Sequence, residues 1–462
     1  MNMKRRHFGL LAGTSLAALK FGIPKASAAV DPAIFTTTLT PMGAERAGNA
    51  DGSIPAWTGG ATTVPAGWTP DQFMPDPNES DAVVVKINAT NMAQYADKLS
   101  PGTMAMMTKY PDFFIAVYPT RRTAAAPQDV YDSIASNANT AQLSPTGPQN
   151  GFTGALNGIP FPILDPDPLK AGGQLIYNHY VNWRGRALVF LSQAYAVSDG
   201  NPYLSDASPA NYDYPYYHKG VTQATFDGIS QRTFEQYTAP ANDVGEQILT
   251  TDFTDPVQTP NEVWELLNGQ GRVRKAPEVN YDTPASTVDG MADTDEFFGF
   301  AGTPDHNDYH YQGKKELYIP YNNNTLVGKP ASEVVGPHFF DPNSVRWELH
   351  RVHVMEATVR PGKRNTLPRR MFYIDEDTWT IAVTDGYDAN NTLVHVGFVY
   401  FICRPDLPGT FIVNNSVHIL QTGDWTPMAG PYNEKARPSI KFYDSLPDSM
   451  YDPNNMAASA QY

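Results

Sequence analysis

Val345-Arg-Trp-Glu-Leu-His-Arg-Val-His-Val-Met-Glu-Ala-Thr-Val359 is rich in β-branched and aromatic residues and reads as a strand. Arg360-Pro-Gly-Lys363 follows, and Pro then Gly suits the two central positions of a type II turn. Met371-Phe-Tyr-Ile-Asp375 is a second strand. Thr378-Trp-Thr-Ile-Ala-Val-Thr384 is a third, and its alternation puts Trp379, Ile381 and Val383 on one face. Asp385-Gly386 and Asp388 to Asn391 turn the chain again, and Thr392 to Cys403 closes the series. Four strands joined by short polar turns make an antiparallel meander.

Working outward, the 462 residues include 40 Pro, too many for an all-helical protein. No apolar run approaches the ~20 residues that span a bilayer. Cys403 is the one cysteine, which excludes an internal disulfide and Cys-ligated zinc or iron–sulfur sites. Beside Arg404 it reads as a buried structural thiol. The start reads as a signal peptide over residues 1–28: Arg5-Arg6-x-Phe8, a modest apolar run, then Ala26-Ser27-Ala28. Its weak hydrophobicity and Lys25 favour the twin-arginine route and a periplasmic address. The segment carries Lys4, Arg5, Arg6, Lys20 and Lys25 and no acid, so its removal takes the formal charge from −15 to −20. Phosphate backbones repel such a body, which argues against nucleic-acid partners.

Residues 29–89 read as an irregular arm, rich in Gly, Pro and Thr, anchored over a core by Trp57 and Trp68. Residues 90–443 form the main domain, and 444–462 an irregular polar tail. Helices are expected at Thr90 to Lys109, with Ser100 capping and Pro101 in the first turn, at Pro127 to Ser136, and from Asp167-Pro168. Strands are expected at Asp112 to Tyr118, Ala187 to Val197, Thr233 to Tyr237, Gln247 to Phe253, Val263 to Leu267, Lys315 to Ile319 and Thr410 to Leu420. Asn268-Gly269 is a hairpin turn into Arg272 to Lys275. Asn201 to His218, with five tyrosines, reads as a loop, and Pro277 to His310 mostly as loop. Helices fall early and strands late. The fold class is therefore α+β, with helices on one side of a curved antiparallel sheet.

Several motifs resemble one known family. They are Thr40-Pro-Met-Gly-Ala-Glu-Arg-Ala-Gly-Asn-Ala-Asp-Gly-Ser-Ile-Pro-Ala-Trp-Thr-Gly-Gly60, Gly271-Arg-Val-Arg-Lys-Ala-Pro277 with Tyr281-Asp-Thr-Pro284, and Lys314-Lys-Glu-Leu-Tyr-Ile-Pro-Tyr321. Arg346-Trp-Glu-Leu-His350, Pro361-Gly-Lys-Arg364 and Phe372-Tyr-Ile-Asp-Glu-Asp-Thr-Trp379 complete the set. Together they resemble an uncharacterised family of proteobacterial exported proteins. The resemblance implies a fold similar to the lipoprotein carriers LolA and LolB, an open antiparallel β-barrel with helices over its mouth. It also implies a place beside RND/MmpL-type exporters and an outer-membrane partner. The implied function is a periplasmic carrier or chaperone for a lipid, a lipoprotein acyl chain or a terpenoid-like molecule.

On that reading Trp264, Trp347, Leu349, Met355, Tyr373, Trp379, Ile381 and Val383 are the expected cavity wall; the alternative is that they fill a closed core. Lys363, Arg364, Arg369 and Arg370 gather four cations around one hairpin, suited to a head group or an acidic partner. Asp305 to His310 is dense in metal-ligand types but reads as a hydrated loop. No cofactor, metal or catalytic residue is expected. Gly-x-Ser-x-Gly, His-Glu-x-x-His and phosphate-loop motifs are absent from the sequence. The competing readings are an exporter's accessory subunit, docking through the Tyr-rich loop and the basic hairpin, and an unrecognised hydrolase or metal enzyme.

Overall fold

The structure, a computed structural model, describes residues 29–276, 281–434 and 440–459. The expected signal peptide lies outside them.

The strands are β1 Val85–Ile87, β2 Ile115–Val117, β3 Gln142–Leu143, β4 Phe152–Thr153, β5 Ala187–Ser198 and β6 Asn201–Asp213. Then come β7 Ile229–Gln236, β8 Gln247–Phe253, β9 Glu262–Leu266, β10 Arg274–Lys275, β11 Asn307–Pro320 and β12 Arg346–Val359. The rest are β13 Arg369–Asp375, β14 Ile381–Tyr387, β15 Leu393–Cys403, β16 Thr410–Ile419, β17 Trp425–Met428 and β18 Lys441–Tyr443. The helices are α1 Ile34–Thr37, α2 Pro101–Lys109, α3 Gln128–Thr140, α4 Pro168–Tyr180, α5 Asn324–Val327, α6 Ala331–Val334 and α7 Pro453–Ser459.

Strands β12 to β16 form the expected meander, each antiparallel to the next. They sit inside one sheet ordered β1-β2-β12-β13-β14-β15-β16-β17-β5-β6-β7-β8-β9-β10, with β11 on β12 and β18 on β5. Every pairing is antiparallel except β12 with β2. Among the described residues β1 and β10 do not pair, so the sheet does not close into a barrel.

The expected alternation fails at one residue. Ile374 pairs with Ile381 and Tyr373 with Val383, which leaves Ala382 as a bulge. One extra residue reverses the facing. Ile381 and Trp379 join one buried cluster and Val383 another, so the three do not share a face.

Helices cover both faces of the sheet, not the single side expected. Phe372 and Tyr373 are neighbours in β13 and point opposite ways. Phe372 shares its cluster with Val130 and Ile134 of α3 and Leu175 and Ile176 of α4. Tyr373 shares the other with Met106 and Met107 of α2 and Val334 of α6. Burying each such side chain contributes roughly 1.5–3 kcal/mol, so two greasy faces require two helical layers. Helix α4 lies so close to β11 that a Cβ at Gly172 would sit 2.1 Å from the Tyr309 carbonyl oxygen.

Two further expectations are corrected. Asn201 to Asp213 is strand β6, followed by a 3-10 turn at Pro215–Tyr217. Pro202 and Pro209 fall outside the part paired with β7, Ala210 to Asp213, where a missing N–H costs little. The tail, expected to be irregular, carries a 3-10 turn at Asp448–Tyr451 and helix α7, and Tyr451 and Met456 pack with Leu249 and Leu266.

Candidate functional site

The eight expected wall residues do not line one hollow. Met355, Trp379 and Ile381 lie in the α3/α4 core. Trp347, Leu349, Tyr373 and Val383 lie in the α2/α6 core. Trp264 is half-buried beside Leu249 and Leu266. The basic hairpin is likewise dispersed. Arg370 is buried, and its Nη2 donates to both oxygens of Asp295, at 2.7 and 2.9 Å, away from the hairpin surface. Arg369 pairs with Glu356 and Lys363 with Asp305, while Arg364 is exposed. Of the five tyrosines expected on a partner-facing loop, Tyr212, Tyr214, Tyr216 and Tyr217 are buried and Tyr203 is exposed. Asp305 to His310 spans a 3-10 turn and the start of β11, and His306 stacks on Tyr281 at 3.4 Å.

Four of the resemblance motifs, Thr40–Gly60, Lys314–Tyr321, Arg346–His350 and Phe372–Trp379, converge on a buried charge cluster that the sequence reading missed. On β12, Arg346, Glu348 and His350 occupy alternate positions and share one face. Glu348 accepts from Arg346 at 2.5 Å, from Asn322 at 2.9 Å and from the Arg121 backbone N–H at 2.6 Å. The His350 ring lies 3.2 Å from Glu348 and 3.3 Å from Asp375, with Tyr321 stacked on it at 4.0 Å. Arg122 grips Asp377 through two hydrogen bonds of 2.6 and 2.8 Å. Arg351 and Lys314 hold Glu376. The carboxylates of Asp81, Glu348, Asp375, Glu376 and Asp377 thus meet Arg122, Arg346, Arg351 and Lys314, and a protonated His350 evens the count. Burial alone would lower the His350 pKa; hydrogen bonds to Asp375 and Glu348 outweigh it and lift it to about 9.

His350, Asp375 and Asp377 offer ligand atoms within 4.8 Å of one another. A metal would have to displace Arg122 from Asp377 and take its imidazole from between two carboxylates. In the described arrangement the imidazole lies between the Glu348 and Asp375 carboxylates and Asp377 is taken by Arg122. The cluster's spare donors hold the arm. Arg122 donates to the carbonyls of Glu45 and Arg46, Arg351 to that of Ala47, and Trp379 to that of Met42. Sealed in this way, the cluster clamps the Thr40–Gly60 motif to the sheet.

A second locus is built differently. Helix α4 ends at Tyr180, and Arg184 folds back to donate to the His179 carbonyl at 3.3 Å, a favourable place for a cation. Arg184 also donates to Asn182 and lies over Phe298, 5.9 Å from its centroid. Arg184 and Phe298 border two adjoining spaces. One, of about 50 Å³, is lined by Tyr180, Ser230, Gln231, Asp252 and Phe300. The other, of about 10 Å³, is lined by Phe190, Tyr212, Tyr214, Phe411 and Ile412. Burial pushes the Asp252 carboxyl up to about 7.

Phe298 sits at φ 49°, ψ 33°, a left-handed backbone costly for a bulky residue, by about 1–2 kcal/mol. Its short turn, Thr294–Gly299, is pinned by two ion pairs, Asp295–Arg370 and Glu296–His395. Arg370, expected to dock a partner, positions this turn instead. A wider groove of about 380 Å³ opens to solvent between Asp112 and the Ser332–Pro342 segment, with Glu333 and Asp341 on its rim. Cys403 is buried and its thiol is pushed up to about 12 by that burial, which is inert chemistry.

A family model described as "Protein of unknown function (DUF1329)" matches residues 86–457. The chain belongs to this family. A relative, uncharacterized protein PA3922 of Pseudomonas aeruginosa, is 38% identical over 397 residues, 84% of each chain. A DUF1329 family protein from Desulfovibrio piger aligns with 63% of this chain and 99% of its own, at 14% identity and TM-score 0.42. LolA superfamily protein NE2245 from Nitrosomonas europaea aligns with 60% of this chain and 95% of its own, at 12% identity and TM-score 0.34. The DUF1329 match encloses Arg184, Phe298 and the charge cluster apart from Asp81, while the Thr40–Gly60 motif precedes it. Among the described residues no helix is long and apolar enough to cross a membrane.

Proposed function

We propose that this DUF1329 protein is a periplasmic carrier or chaperone that takes up a hydrophobic ligand beneath Phe298 and serves an export system of the RND type. The observation that carries the reading is the Phe298 ring on its strained backbone, held over aromatic-lined space by one buried and one part-buried ion pair. Backbone strain of this kind persists where the surroundings enforce it, and it collects at clamps and switches.

The spaces total far less than the ~300 Å³ or more of an ordinary ligand site, so the carrier is closed as described and must open by moving the Thr294–Gly299 turn. Burial supplies the drive. At about 0.8 kcal/mol per methylene, a fourteen-carbon chain gains at most roughly 11 kcal/mol. That is enough to offset displacing one ring and its packing.

Native mass spectrometry of the chain purified without detergent tests this. A bound mass that organic extraction removes, and that lipid restores, is the expected result. A protein that carries nothing, and that takes up no lipid after extraction, would count decisively against a carrier.

A further inference from the structure

We infer that the ligand is an amphiphile with an anionic head, a carboxylate or a phosphate, and that Arg184 receives it; this rests on the carrier reading above. Among the described residues, every buried guanidinium has a carboxylate partner. Arg122, Arg186, Arg346, Arg351, Arg370 and Arg404 are each ion-paired. Arg184 is half-buried and has no carboxylate within 4.0 Å among the described residues. Arg46 is a comparable case, but its donors go to the carbonyls of Leu39 and Phe35 inside the arm. Arg184 differs in bordering open space.

The surroundings complete the argument. Inward of Arg184 the lining is rings, with Phe190 stacked on Tyr212 at 5.9 Å and Phe411 beside them. A cation at the edge of an aromatic-lined recess matches a molecule with a charged end and a greasy tail. Asp252 shares the mouth, yet it takes only a 3.4 Å contact from Gln231 and does not pair with Arg184. The guanidinium therefore meets an incoming anion without a carboxylate competing for it. A half-buried guanidinium with no carboxylate partner can still form a charge-assisted hydrogen bond, so an anionic head would bind here with more than its tail's share of the affinity.

Displacement of N-phenyl-1-naphthylamine from the purified full chain by dodecanoate, dodecyl phosphate and dodecanol tests the inference. The tail is constant and only the head changes. One or both anions are expected to bind about tenfold or more tighter than dodecanol, as fits a charge-assisted hydrogen bond. A preference for dodecanoate marks a fatty-acid head, and one for dodecyl phosphate a phospholipid-type head; either supports the inference. Arg184→Gln should collapse the anion-to-alcohol ratio towards one, and Arg184→Lys should keep most of it. Equal binding of all three compounds by the native chain would overturn the head-group inference and leave the carrier standing. Failure of the native chain to bind the dye or any dodecyl compound would sink both. The native-chain comparison decides the matter even if Arg184→Gln does not fold.

Discussion

The indole Nε1–H of Trp379 donates to the backbone carbonyl of Met42 at 2.7 Å, across 337 positions of sequence. This bond ties the N-terminal arm to the turn between β13 and β14. Trp379 is buried, sits at φ 59° and stacks on His353 at 5.0 Å. Trp379→Phe keeps most of the ring and removes the donor. The expected loss is about 1–2 kcal/mol in urea unfolding, with faster proteolytic cleavage inside residues 40–60. An unchanged cleavage pattern would show that the arm is held without this bond, by contacts such as those of Arg122, Arg351, Asn49 and Trp57.

His350 gives the fold a pH signature. Folding raises its pKa from 6.5 to about 9, so the native state holds the proton more tightly than the unfolded chain. Its stabilisation is fully present below pH 6.5 and is lost as pH rises through about 9. The stability difference between the native chain and His350→Asn should therefore be largest below 6.5 and shrink towards alkaline pH. Urea titrations across that range measure it, and a difference independent of pH would remove the imidazolium from the account.

How far this was legible in the sequence depends on whether the signal was local. The meander was, because Val345 to Cys403 combines β-branched runs with unmistakable turns. Ser100 and Asp167 were also legible as helix caps, and both side chains accept the backbone N–H bonds expected of them. Strand β6 was hidden by Pro202 and Pro209, whose tolerance depends on where the neighbouring strand stops pairing. The bulge at Ala382 leaves no mark in composition. The charge cluster has a local signal: Arg346, Glu348 and His350 alternate with Trp347 and Leu349 at the start of β12. The pocket had none, since the missing partner of Arg184 is a tertiary fact.

Arg370 should matter far more for stability than its expected surface role would allow. Arg370→Met strands the Asp295 carboxylate in the interior, and removing one partner of a buried pair costs about 3–5 kcal/mol. Adding Asp295→Asn should recover much of that loss. Chemical denaturation of the two variants checks both parts; equal stability of the single and double variants would contradict the pairing.

Gly172→Ala should be among the more damaging alanine substitutions in the chain. The new Cβ would meet the Tyr309 carbonyl carbon at 2.5 Å as well as its oxygen, and backbone cannot swing aside as a side chain can. Separating α4 from β11 is expected to cost about 3 kcal/mol, visible as a lowered melting temperature. A variant as stable as the native chain would mean that α4 packs less closely than described.

Uptake of N-phenyl-1-naphthylamine by the extracted chain, followed by stopped-flow fluorescence in the native protein and in Phe298→Gly, tests the carrier most directly. Glycine adopts φ 49° without strain and removes the ring that shuts the recess. The account predicts saturable uptake by both proteins, faster in Phe298→Gly. A signal that never saturates in either protein, or rates that ignore the substitution, would contradict it.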